Sequence, residues 1–147
     1  MYSSIVVGTD GSETAGEAVR QATELAKAVG AHIHLVSAYE PVPDIRLRQE
    51  HRDAPEEVQW MIRPREDVEE TLRKAEEEMQ EEGVTVETYP REGDAADAIL
   101  DVAEEQNAGL VVVGNRGMAG ARRFLLGSVP NKISHHAPCS VLIIRTT

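Results

Sequence analysis

The chain predicts an α/β protein built on a doubly wound, open parallel sheet of five strands. Three observations carry this prediction. Short apolar strand patterns alternate with helical patterns from one end to the other, in the order β-α-β-α-β-α-β-α-β. The fourth strand pattern, LVVVG at 110–114, is apolar throughout, as suits a strand covered on both faces. No repeat or low-complexity segment breaks the alternation, so the whole of 1–147 reads as one domain.

Each element has its own signal. Residues 4–9, SIVVGT, read as a short strand, after which Ala15, Ala18, Val19, Ala22, Leu25, Ala26 and Val29 fall on helical spacing. Ser12 has the chemistry of an N-cap for that helix and Gly30 that of a C-cap. Residues 32–38, HIHLVSA, form the second strand. Pro41, Pro43, Pro55 and Pro64 then mark 40–64 as a long loop or irregular excursion. Val68, Leu72, Ala75 and Met79 give an acidic amphipathic helix that Gly83 closes. The third strand is read at 84–89. Asp94 caps the next helix, whose apolar stripe is Ala95, Ala98, Ile99, Val102 and Ala103. After the fourth strand and a glycine-rich segment, Ser128 opens a short helix with Pro130 in its first turn, and SVLIIR at 140–145 is the fifth strand.

Composition excludes several classes. The 147 residues carry a net charge of −11, which argues against a nucleic-acid or anionic-membrane partner, because such binding rests on basic patches. The acidity clusters at EDVEE (66–70), EEE (76–78) and EE (81–82), and both a solvated helix face and a high-salt origin account for it. No apolar run approaches the roughly 20 residues of a membrane span. The start, MYSSIVVGTDG, reads as a strand rather than a signal peptide, and Cys139 as the sole cysteine allows no internal disulfide. A cytoplasmic location is expected.

The segment GNRGMAGARRFLLGS (114–128) is the richest in glycine. Gly114 and Gly117 permit positive φ and leave no Cβ in front of backbone N–H groups, while Gly127 and Ser128 place N–H groups and a hydroxyl at a helix N-terminus. That composition suits a phosphate cradle; it equally suits a loop followed by an ordinary cap. Arg116, Arg122 and Arg123 add local positive charge or are solvated. If the first and fourth strands are neighbours, VGTDGS (7–12) forms the facing wall of one crevice.

The pattern Gly-x2-Gly-x9-Gly-Ser, filled by Gly114, Gly117, Gly127 and Ser128, resembles the ATP-binding motif of the universal stress protein family. The resemblance spans the chain, from VGTDGS through LVVVGNRG to LLGSVPNKISHHAPCSVLIIR. It implies a flavodoxin-like or Rossmann-like sheet, of the adenine nucleotide alpha hydrolase-like type, with strand order 3-2-1-4-5. It implies ATP in the crevice between the first and fourth strands, with Mg²⁺ accompanying the phosphates. By this resemblance Asp10, beside Gly8 and Thr9, reaches the ribose and adenine region; a plain helix-cap role remains open for it. Val36, Ser37 and Ala38 correspond to the segment near the base. Gly114, Asn115, Arg116 and Gly117 correspond to the phosphate loop, and Gly127, Ser128 and Val129 to the helix start that holds phosphates. Gly8 departs from relatives that carry proline there. The family also implies dimers through the strand at 140–145, which the 3-2-1-4-5 order leaves at an apolar edge.

Competing motifs fail. No lysine is followed by Ser or Thr, so no P-loop exists, and His51-Arg52-Asp53 lacks the other parts of a kinase site. No HExxH or cysteine cluster marks a metal site, and His32 and His34 read as ordinary strand histidines. A response regulator would need an aspartate ending the third strand and a lysine ending the fifth; Tyr89-Pro90 and Arg145 stand there. The expected function is an ATP-binding regulator or sensor in a stress response. Slow ATP hydrolysis or autophosphorylation is the enzymatic alternative, and a nucleotide-independent interaction module is the other.

Overall fold

The computed structural model describes residues 2–39, 65–115 and 127–146. In chain order they form β1 (Ser4–Gly8), α1 (Glu13–Val29), β2 (His32–Tyr39), α2 (Arg65–Glu81), β3 (Val86–Glu92), α3 (Ala95–Glu105), β4 (Leu110–Gly114), α4 (Ser128–His136) and β5 (Ser140–Ile144). The five strands make one sheet in the order β3-β2-β1-β4-β5, and every neighbouring pair is parallel. The expected doubly wound sheet and its strand order are therefore present. The 40–64 excursion lies outside the described residues.

Strand alternation sorts the core into two layers. Ile5, Val7, Ile33, Leu35, Leu110 and Val112 face Ala18, Ala22 and Ala26 of α1 and Val68, Leu72 and Met79 of α2. Val6, Val36, Val111 and Val113 face Ile99, Val102 and Ala103 of α3 and Ile133 of α4. Burial from both sides explains the unbroken apolar run of β4, all of whose residues before Gly114 are buried. The alanine stripe of α1 lets that helix lie close to the sheet. One member of the expected stripe does not join it: Val29, in the last turn of α1, is 42% exposed.

The caps form as their chemistry dictates. Ser12 Oγ accepts from Ala15 N at 3.1 Å and Asp94 Oδ2 from Asp97 N at 3.0 Å, each satisfying an orphan N–H of a helix start. Gly30 ends α1 at φ 71°, a left-handed position that glycine takes without strain. The last helix opens at Ser128 with Pro130 in its first turn, as expected. Gly127 is its N-cap, without a side-chain cap bond, and Ser128 is its first helical residue.

The third strand differs from expectation, running from Val86 to Glu92 through Pro90 instead of from 84 to 89. The reason is its place at the sheet edge. Ile33 N donates to Thr85 O at 2.9 Å, so odd-numbered residues of this strand turn their backbone groups toward β2. Pro90, an even-numbered residue, has its missing donor on the outer side, where no ladder bond is lost.

Candidate functional site

The strand order reverses between β1 and β4, whose carboxyl ends open into a crevice. One wall is Gly8, Thr9 and Asp10, a second is Val36, Ser37 and Ala38, and Gly114 with Val129 and Pro130 makes the third. The floor is apolar, formed by Ile99 and Val113 with Ala15 and Ala95 at the sides. The crevice thus gathers Gly8, Thr9, Asp10, Val36, Ser37, Ala38, Gly114 and Val129 from the sequence-predicted set. Asn115, Gly127 and Ser128 adjoin it without lining it. Arg116 and Gly117 lie outside the described residues.

Sequence reasoning missed Ile99 as a site residue, placing it only in the apolar stripe of its helix. A Cβ at position 8 would overlap Ile99 Cδ1, and Val113 Cγ1 stands 3.6 Å away. Gly8 is where the α3 side chain reaches under the end of β1, so a proline there would displace the floor.

Hydrogen bonding fixes the first wall. Thr9 N donates to Val36 O at 2.9 Å, and Thr9 Oγ1 accepts from Gly11 N at 3.2 Å. Asp10 Oδ1 accepts from Ser12 N at 2.8 Å, a side-chain turn that orients the carboxylate just ahead of α1. Both readings of Asp10 keep a basis: one oxygen supports the helix entry, and the other has no partner among the described residues.

The second wall presents backbone. His32 N donates to Ser3 O and Thr9 N donates to Val36 O, so even-numbered residues of β2 turn their peptide groups toward β1. Ala38 is next in that series, but β1 has ended at Gly8. The Ala38 N–H and C=O therefore face the crevice, with no partner among the described residues. Deeper on the same side, Tyr89, opposite Val36, donates to Glu87 Oε2 at 2.8 Å. Its oxygen stands 2.9 Å from His34 Nδ1. The single hydroxyl proton goes to Glu87, so His34 donates from Nδ1. Burial, with the Glu87 bond, pushes the Tyr89 hydroxyl up to about 12. Burial also lowers the His34 pKa below its ordinary range, against an opposing pull from Glu87 and with a further push down from His32.

The third wall is the start of α4. The Gly127 N–H, expected to be free for an anion, donates instead to Asn115 O at 3.0 Å. What remains at this N-terminus are the Ser128 and Val129 N–H groups, without acceptors among the described residues, and the Ser128 hydroxyl. Lys132 of the same helix is held by Asp97 at 2.7 Å and Asp94 at 3.4 Å, tying α4 to α3. The hydrogen bond to Asp97 and the nearby Asp94 raise the Lys132 pKa. Arg91, opposite Ala38, is held by both Glu105 oxygens at 2.9 and 3.0 Å. With these cations engaged, the described attraction for an anion comes from the helix N-terminus.

The crevice is open on one side and measures about 60 Å³ between the described residues, which form its floor and walls. A larger hollow of about 550 Å³ separates α1 from α2. Glu78, Glu81 and Glu82 line it against Arg20 and Lys74, an acidic excess that disfavours a polyanion beside the start of α1 at Gly11 and Ser12. Among the described residues no group of three His, Cys, Asp or Glu side chains is placed to hold a metal ion, and no helix is long and apolar enough to cross a membrane.

Comparison with known proteins agrees with this architecture. Residues 1–145 match the model of the universal stress protein family. Universal stress protein Rv1636 of Mycobacterium tuberculosis is 36% identical over 152 aligned positions, covering 99% of this chain and 98% of that protein. Universal stress protein MJ0531 of Methanocaldococcus jannaschii is 32% identical over 148 positions, covering 99% of this chain and 83% of its own. A crystal structure of a universal stress protein in complex with cAMP superposes with a TM-score of 0.73, at 30% identity and 99% coverage of each chain. The chain belongs to the universal stress protein family.

Proposed function

We propose that this protein is an ATP-binding regulator or sensor of a stress response, with the nucleotide in the crevice between β1 and β4. The observation that carries this reading is the polarity of the crevice: a carboxylate at one end, helix N–H groups without acceptors among the described residues at the other, and an apolar floor between them. Asp10 accepts from ribose hydroxyls and repels phosphates, which orients the nucleoside toward β1 and β2. The Ala38 N–H and C=O match the acceptor N1 and donor N6 of adenine; guanine reverses both. The phosphates take the Ser128 and Val129 N–H groups, supplemented by the loop of Gly114, Asn115, Arg116 and Gly117. Mg²⁺ accompanies the triphosphate through phosphate oxygens and water.

The reading is one of binding in the cytoplasm, by a homodimer joined at residues 140–145. Slow hydrolysis or phosphoryl transfer to Ser128 is its enzymatic extension. A second reading, cyclic AMP as the ligand, is favoured by the 30% identical structure solved in complex with cAMP. Calorimetric titration of nucleotide-depleted protein with ATP, cAMP and GTP separates them. We expect ATP to bind and GTP to bind about tenfold more weakly, the cost of an unmatched base edge. Tighter binding of cAMP than ATP selects the second reading, and no heat with either at millimolar concentration leaves an interaction module that uses no nucleotide.

A further inference from the structure

We infer that Asn115 is a positioning residue that couples the carboxyl-terminal residues of the chain to the phosphate end of the crevice; this rests on the nucleotide reading above. Three groups of this one residue are engaged in two directions. Toward the terminus, Asn115 N donates to Ile144 O at 2.8 Å, and Asn115 Oδ1 accepts from both Thr146 N at 2.8 Å and Thr146 Oγ1 at 2.9 Å. Toward the site, Asn115 O accepts from Gly127 N at 3.0 Å.

Gly127 is the N-cap of α4 and has no side chain with which to fix the helix start. Its carbonyl is taken by Asn131 N at 3.1 Å, so the Asn115 carbonyl is the hold on its N–H. The direction of the Ser128 and Val129 N–H groups follows from how that cap is seated. The two bonds from Thr146 hold the Asn115 side chain and, with the bond from Asn115 N to Ile144 O, anchor the residue whose carbonyl takes the Gly127 N–H. An asparagine suits the role because its amide oxygen accepts two bonds while adding no negative charge beside a phosphate site. Thr146 itself does not line the crevice, so its influence on a ligand runs through Asn115.

The test compares ATP with adenosine, which shares the base and ribose contacts and lacks phosphates. In Thr146→Val, which keeps the backbone donor and loses the hydroxyl, ATP affinity is expected to fall about fivefold, the loss of one part-buried hydrogen bond, with adenosine affinity unchanged. Thr146→Ser, which retains the hydroxyl, restores the wild-type ratio of ATP to adenosine affinity. Asn115→Ala, which removes both side-chain bonds, lowers the ratio further than Thr146→Val. A ratio that stays constant across the variants, whether both affinities hold or both fall together, overturns the coupling and leaves the nucleotide site standing. Wild-type protein that binds neither ligand overturns the nucleotide reading itself.

Discussion

Gly8 shows how one missing Cβ shapes the candidate site. Ile99, only 4% exposed, occupies the space beside it, so Gly8→Ala forces the isoleucine off its place and is predicted to cost about 1–3 kcal/mol. Ile99→Val removes the overlapping Cδ1 at its own cost of about 0.5–1.5 kcal/mol. Denaturant unfolding of both single variants and the double variant is expected to show that Gly8→Ala costs much less in the Ile99→Val background; strict additivity would mean the two do not meet. His34 supplies a pH signature at the same scale. Its lowered pKa in the folded state means the unfolded chain binds the proton more readily. The stabilising contribution is full above the unfolded value of about 6.5 and is lost as pH falls through the folded value. The groups facing His34 are Tyr89 and Glu87 on β3 and His32 on its own strand. Between about pH 7.5 and pH 5 the unfolding midpoint of wild type should drop more than that of His34→Gln. Equal slopes would assign the pH dependence to other groups.

Among the elements, the two edge strands are unlike. The outer edge of β3 carries Pro90, which withholds a donor from any incoming strand. On the opposite edge, Asn115 N donates to Ile144 O, so even-numbered residues of β5 face β4 and Val141 and Ile143 turn their backbone groups outward. Leu142 is 39% exposed beside them. A second copy is therefore expected at β5. Sedimentation should give a dimer for wild type at micromolar concentration and a monomer for Ile143→Pro, whose lost N–H lies on the outer side; a wild-type monomer at all concentrations would contradict this. Most elements were readable from the sequence because local chemistry and tertiary demand coincide, as at Ser12, Asp94 and Gly30. The misreadings arise where the demand is tertiary alone. Pro90 looks like a terminator until the strand is known to be an edge. Gly127 looks like a free anion donor until Asn115 is seen to take its N–H.

For the whole molecule, alternation of strand and helix gave the layers, while the motif resemblance was needed to place β4 beside β1. That adjacency brings Asp10, Ala38 and the start of α4 around one floor, although they are far apart in sequence. Ile99 escaped notice as a site residue because its spacing marks only a helix face; its second role, beneath the end of β1, exists only in three dimensions. The overall charge of −11 sharpens the local contrast, because an anion approaching an acidic surface needs a local source of attraction such as the helix N-terminus. The most direct test of the central claim is a ¹H–¹⁵N NMR titration of nucleotide-depleted protein with ATP. The largest amide shifts are expected at Gly8, Ala38, Ser128 and Val129. Shifts confined to Lys74, Glu78 and their neighbours in the hollow between α1 and α2, or no shifts at millimolar ATP, would contradict it.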